Sequence, residues 1–178
     1  MKKELEKRMY FLTMYNLSSI QQGIQSGHAQ MEYALKYWNN KDFQDWAKNW
    51  KTWIVLNGGT SNDGNKKPVG NFEKALGTME THVEELKENK IKHAVFKEPD
   101  LNLSLSSIAI VVDERVFNQK DYPDFVHYLA KKIDSSFSYT FSVDLKTQYR
   151  REYEDWVEFV GGERNVFLKE FLVQFRLA

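Results

Sequence analysis

Five consecutive residues, Ile108-Ala109-Ile110-Val111-Val112, constrain the fold of this chain more than any other stretch. A short, wholly apolar run rich in β-branched residues reads as a strand buried on both faces, which only the middle of a helix-covered sheet provides. Three other segments supply partners for it. Tyr10-Phe11-Leu12-Thr13-Met14-Tyr15 has strand length and composition, and Asn16-Leu17-Ser18-Ser19 follows with turn and N-cap chemistry. Thr52-Trp53-Ile54-Val55-Leu56 is a buried strand bounded by Asn57-Gly58-Gly59, which predicts a tight turn. Ile91 to Phe96 reads as a half-buried strand with His93 on its polar side, broken by Glu98-Pro99-Asp100-Leu101-Asn102. Between these lie helical patterns. Ile24, Met31 and Leu35 recur at helical spacing over about residues 20 to 37, and Phe43, Trp46, Ala47 and Trp50 do so over about 42 to 50. A third helix ends near Asn89, opened by a Thr81-His82-Val83-Glu84 capping box or by Thr78 one turn earlier, with His82 expected to be solvated. That order predicts an α/β fold with a mixed four-stranded sheet and helices on its faces.

The chain has 178 residues, enough for one well-buried domain and an appendage. The pattern divides at about residue 134, into an α/β domain (1–134) and a C-terminal extension (135–178) of a strand arm and two helices. Asp121-Tyr122-Pro123 opens a helix whose apolar face is Phe125, Val126, Leu129 and Ile133. From Phe137 to Leu145 apolar and polar residues alternate, which predicts an edge strand or an arm that pairs with another subunit. Tyr149 to Val160 is helical, Gly161-Gly162 ends it, and Phe167, Leu168, Phe171, Leu172 and Phe175 mark an amphipathic last helix. So apolar an end must dock, either on its own domain or in a homo-oligomer.

Composition removes several function classes. Basic and acidic residues balance at 25 each, so no global basic field draws in long nucleic acid, while a small nucleotide or one RNA end stays open. The absence of cysteine excludes disulfides, thiolate catalysis and cysteine-held metals. No apolar run reaches membrane-span length, and Met1 to Arg8 lacks the apolar core of a signal peptide, so a cytoplasmic protein without membrane partners is expected.

Candidate chemistry gathers at the strand ends. Gly23-Ile24-Gln25-Ser26-Gly27-His28-Ala29 opens the first long helix; Gly23 and Gly27 share a face, and Gln25 and His28 stand one turn apart. The glycines admit either a ligand or simply close packing on the sheet. Gln25 and His28 can converge with Asn57, Gly58, Glu98, Asp100 and Asn102, giving an imidazole for acid–base chemistry with Glu98 or Asp100 to orient it. The plain alternative is that His28 is hydrogen-bonded to a neighbouring loop. Amides near Ile20 to Gly23 could hold a phosphate. The Gly58 to Gly70 stretch reads as a flexible loop and lacks the Gly-Lys-Ser/Thr ending of a triphosphate loop. No ligand spacing calls for a metal, and no cofactor is expected.

The Gly23 to Ala29 stretch resembles the helix-opening motif of the type 2 peptidyl-tRNA hydrolases, Lys-x-Ala-Ala-Gln-x-x-His-Ala after a strand. Gln25 falls on the family glutamine and His28-Ala29 on its His-Ala, while Gln21 stands where the family has lysine. Glu98 to Val112 is similar to that family's Asp-Ala-Gly-x-Thr loop before its last long strand, with Glu98 at the aspartate and Asn102 at the threonine; the family's Pro-Gly is missing. It is closer still to small phage-type proteins of the same fold that carry Glu-Pro-Asp-Leu before such a strand. The resemblance covers roughly residues 9 to 133. It implies a peptidyl-tRNA hydrolase-like fold; taken with the residues' own chemistry, it makes His28, Glu98 and Asp100 the candidate catalytic groups and Gln21, Gly23, Gln25, Gly27, Asn57, Gly58 and Asn102 the candidate ligand contacts. Without the lysine, the family's own reaction lacks a cation for phosphate and developing charge, unless Lys66, Lys67 or Lys97 replaces it. Three functions follow: a hydrolase of a small (cyclic) nucleotide signal or of the tRNA 3′-end ester, a phage counter-defence protein that sequesters a host nucleotide signal, or an assembly protein with an unused pocket.

Overall fold

The computed structural model describes residues 4–62, 77–133 and 144–178. Two compact units emerge, one of residues 1–113 with 173–178 and one of 114–172. The division drawn from sequence at residue 134 falls inside the second unit.

The first unit carries a four-stranded mixed sheet in the order β2-β1-β4-β3. Its strands are β1 (Lys7–Met14), β2 (Thr52–Gly59), β3 (His93–Glu98) and β4 (Ser104–Asp113). β1 pairs parallel with β2 and antiparallel with β4, and β3 pairs antiparallel with β4. The apolar run at 108–112 is therefore central, with Ile108, Ala109 and Ile110 fully buried. Asn57-Gly58-Gly59 does not form the expected turn; it continues β2 to its end. Gly58 sits where a Cβ would overlap Met79 and Leu12, so its place demands glycine for packing.

Helix α1 (Ser19–Tyr37) lies across β3, β4 and β1. Ser18 and Gln21 form a capping box: Ser18 Oγ accepts from Gln21 N at 3.3 Å, and Gln21 Oε1 accepts from Ser18 N at 3.0 Å. The buried face of α1 is Gln22, Gln25, Ser26, Ala29 and Tyr33. Ile20, Ile24, Met31 and Leu35, the residues that announce the helix, are instead exposed. Helix α2 (Lys41–Asp45) runs into a π-helical turn, Trp46–Trp50, closed by left-handed Lys51. Met9 and Phe11 of β1 join Ala29, Tyr33, Phe43, Trp46, Ala94 and Ala109 in the core on this face.

Helix α3 (Thr78–Glu88) packs over β1, β2 and β4 from the other face, with Met79 and Leu86 fully buried. It starts at Thr78 with Gly77 as N-cap, so Thr81 lies inside the helix. His82 is half-buried rather than solvated, edge-on to Phe175 at 4.9 Å. The chain end runs along β2: Asn57 N donates to Arg176 O, and Ala178 N to Val55 O, so part of that sheet edge is covered.

The second unit holds α4 (Glu114–Phe117), α5 (Phe125–Lys132), α6 (Leu145–Gln148), α7 (Arg150–Phe159) and α8 (Glu163–Leu172). Phe125, Leu129, Trp156, Val160 and Val166 form its core. Gly161 and Gly162, both at positive φ, end α7 as the sequence predicts. The last helix stops at Leu172, short of Phe175. The alternating arm lies, from 137 to 143, outside the described residues, and Leu145 opens α6 rather than extending a strand. Among the described residues no helix is long and apolar enough to cross a membrane.

Candidate functional site

The C-terminal ends of β1, β2 and β3 and the start of β4 lie at one end of the sheet. Seven polar residues are buried around this end: Thr13, Gln22, Gln25, Ser26, Ser104, Ser106 and Ser107. Their concentration is unusual, because a buried polar group costs free energy unless it is hydrogen-bonded. Gln25 explains part of it. Its Nε2 donates to Glu98 Oε2 at 2.5 Å, and its Oε1 accepts from Ser106 Oγ at 2.7 Å, so both ends of the amide are engaged and its orientation is fixed. Ser106 also lies 3.2 Å from Phe96 O.

A β-bulge makes this meeting geometrically available. Phe96 pairs with Ser107 and Lys97 with Leu105, leaving Ser106 as an extra residue in β4. Strict alternation would aim Ser106 away from α1; the bulge turns it toward the helix.

Glu98 caps the 3₁₀ turn Pro99–Leu101, with Oε1 accepting weakly from Asp100 N at 3.4 Å. The turn ends in two consecutive left-handed residues, Asn102 and Leu103. His28, one turn beyond Gln25 on α1, is exposed and lies against the Phe96 ring, with centroids 4.4 Å apart. Thus Gln25, Glu98, Ser106, His28 and the Asp100 backbone form one corner between α1 and the β3–β4 connection. Glu98 spends its carboxylate on Gln25 and Asp100 N, not on His28.

Other expected members lie elsewhere. Gln21 closes the N-cap of α1, so its side chain has a structural use. Gly23 is open to solvent, and a Cβ on Gly27 would only touch the Trp53 ring. Asn57 and Gly58 are on β2, at the opposite edge from β3 with two strands between, about 14 Å away at ordinary strand spacing. Asn57 Oδ1 accepts from Gly59 N, and Gly58 is packed under Met79. Asp100 and Asn102 are exposed beside the corner. Lys66 and Lys67 lie outside the described residues. Among the described residues, no cluster of three or more His, Asp or Glu could hold a metal.

On the opposite face of β3 lies a groove that the sequence did not reveal. It has a volume of about 430 Å³ between α3 and β3, floored by Val83, Val95 and Leu105, with His93 and Lys97 on its β3 wall. His93 is buried rather than on a solvated strand face. Its Nδ1 lies 2.8 Å from Ile91 O and must donate to that carbonyl, which fixes the neutral tautomer. Burial holds its pKa below the usual 6.5; Lys36 and Lys87 add to this, against the Ile91 carbonyl and Glu84. The sign is then set. Above pH 6.5 the ring is neutral folded or unfolded, and as pH falls the unfolded chain takes up a proton that the fold resists. The melting temperature of the first unit is expected to fall between pH 7 and 5, and His93→Asn to flatten part of that slope, measured by circular dichroism. An unchanged slope in the variant would count against a neutral His93.

No protein-family model matches this chain, and no curated protein matches it either.

Proposed function

We propose that the corner of Gln25, Glu98, Ser106 and His28 is the working site, and that the protein is a nucleotide-directed hydrolase of the type 2 peptidyl-tRNA hydrolase-like fold. The observation that carries this reading is a carboxylate fixed by a buried amide, one helical turn from an exposed imidazole seated on an aromatic ring. Glu98 keeps spare lone pairs, so it accepts from ribose hydroxyls or an exocyclic amine while Gln25 holds it in place. Two acidic groups, Glu98 and Asp100, repel phosphate, which puts the nucleoside end of a substrate at the turn and its phosphate toward the exposed His28. His28 then gives or takes the proton at the scissile bond.

A second reading is favoured by two hydrogen bonds: Glu98 accepts from Gln25 Nε2 and Asp100 N, and among the described residues no carboxylate is hydrogen-bonded to His28. The same corner then binds a nucleotide signal and keeps it from its receptor without cleaving it.

Both readings meet one experiment. The protein is incubated with cyclic dinucleotides, ADP-ribose-type nucleotides and peptidyl-tRNA, denatured, and the released molecules analysed. Cleaved product that drops by about 10²-fold or more in His28→Ala supports the hydrolase, a usual loss for a general acid–base group. Intact nucleotide carried through to release supports the binder. If nothing is either cleaved or retained, both readings fail.

A further inference from the structure

The groove between α3 and β3 has the marks of a separate binding site. Its volume is in the range that takes one small ligand, and its apolar floor is ringed by charged and polar side chains. Those groups have defined states. His93 Nδ1–H is spent on Ile91 O, so Nε2 carries a lone pair, and among the described residues it has no partner. It therefore accepts a hydrogen bond and offers none. Lys97 lies on the same face of β3 and carries a charge with no partner among the described residues. The other charged side chains of the lining have partners, save one oxygen: Glu80 Oε2 is buried without a hydrogen-bond partner among the described residues. Lys87 pairs with Glu84 at 2.8 Å, and Glu80 accepts from Ser61 Oγ and Asn62 N. Lys36 donates to His93 O.

The spacing selects a ligand. His93, Val95 and Lys97 alternate along one strand face, so the acceptor and the cation are about 13 Å apart along β3, with Val95 between them. A molecule matching this has a hydrogen-bond donor at one end, an anionic group at the other and an apolar or planar body over Val95 and Leu105. An anionic end cannot sit at His93, because Nε2 presents a lone pair to it.

We propose that this groove binds a small organic anion of the nucleoside monophosphate class, with an N–H donor of the base on His93 Nε2 and the phosphate at Lys97. The site is distinct from the corner on the α1 face and does not depend on that corner's chemistry.

Calorimetric titration of the full chain with adenosine 5′-monophosphate tests it, with adenosine and inorganic phosphate in parallel. AMP is expected to bind at least about tenfold more tightly than either half, since each half forfeits one anchor. Lys97→Glu, an exposed change that leaves the fold intact, is expected to weaken AMP by about tenfold or more. His93→Asn keeps a donor for Ile91 O and removes Nε2, with a similar loss expected once circular dichroism shows the variant folded at the pH of the titration. Any AMP held in the corner is lost in His28→Ala, whereas the component of binding that Lys97→Glu weakens is expected to remain in that variant. Absence of saturation at millimolar AMP overturns the proposal, and so does binding that survives both groove variants or falls only in His28→Ala.

Discussion

Lys169→Met is expected to destabilise the second unit by about 3 kcal/mol. Lys169 is buried, and its Nζ donates to Arg115 O, Val116 O and Tyr122 O at 3.1, 3.3 and 2.7 Å. Two of these carbonyls belong to the four-residue helix α4, which is too short to satisfy its own last carbonyls. The ammonium is thus the C-terminal cap of α4, delivered from α8. Burial pushes its pKa down, which measures what the charge gives up to be there. Hydrogen bonds from a charged donor contribute roughly 1.5–3 kcal/mol each. Three of them outweigh the relief that methionine gains by removing the buried charge, so the net effect is a loss. The second unit need not unfold together with the first, so a single global midpoint is the wrong observable. Amide exchange in a peptide covering residues 114–122 is the measurement, and protection equal to the parent would refute the capping role.

Tyr33→Ala is expected to cost about 3–5 kcal/mol in the first unit, the usual range for removing a large buried ring. Tyr33 is 1% exposed and packs its ring on Tyr37 and Phe43 at 4.8 and 5.6 Å. Leu35→Gln, two residues on, is expected to change stability by less than about 0.5 kcal/mol. Leu35 is 76% exposed, and glutamine is nearly as good a helix former as leucine. Denaturant titration of each variant provides the comparison. Equal losses would mean that α1 presents a different face to the sheet.

That pair also exposes why one helix was legible and its orientation was not. Ile20, Ile24, Met31 and Leu35 have helical spacing and correctly announce α1, yet they lie on the outer face. The inner face carries Gln22, Gln25 and Ser26 because Ser106, turned inward by the bulge, and Glu98 give Gln25 partners that remove the cost of burial. Such partners stand 73 and 81 positions away in the chain. No local pattern contains them. Gln25 and the Glu98 loop do meet in one corner, whereas Asn57 and Gly58, which the sequence groups with them only as the end of a strand, do not. Strand order decided otherwise, setting β2 and β3 on opposite edges. The groove was invisible for a related reason: His93 and Lys97 read as an ordinary strand face until α3 is laid over the sheet.

By itself, the sequence determined the mixed α/β class, the central place of 108–112, and the helix borders set by Ser18 and Gly161-Gly162. These depend on β-branching, capping chemistry and glycine's freedom at positive φ, all properties of neighbouring residues. Only the tertiary structure decided which face of α1 is inside, which strand ends adjoin, and the state of His93. Each of those turns on whether a polar group finds a partner or an apolar one finds cover, and the partners are brought together by the sheet, not by the chain's local order.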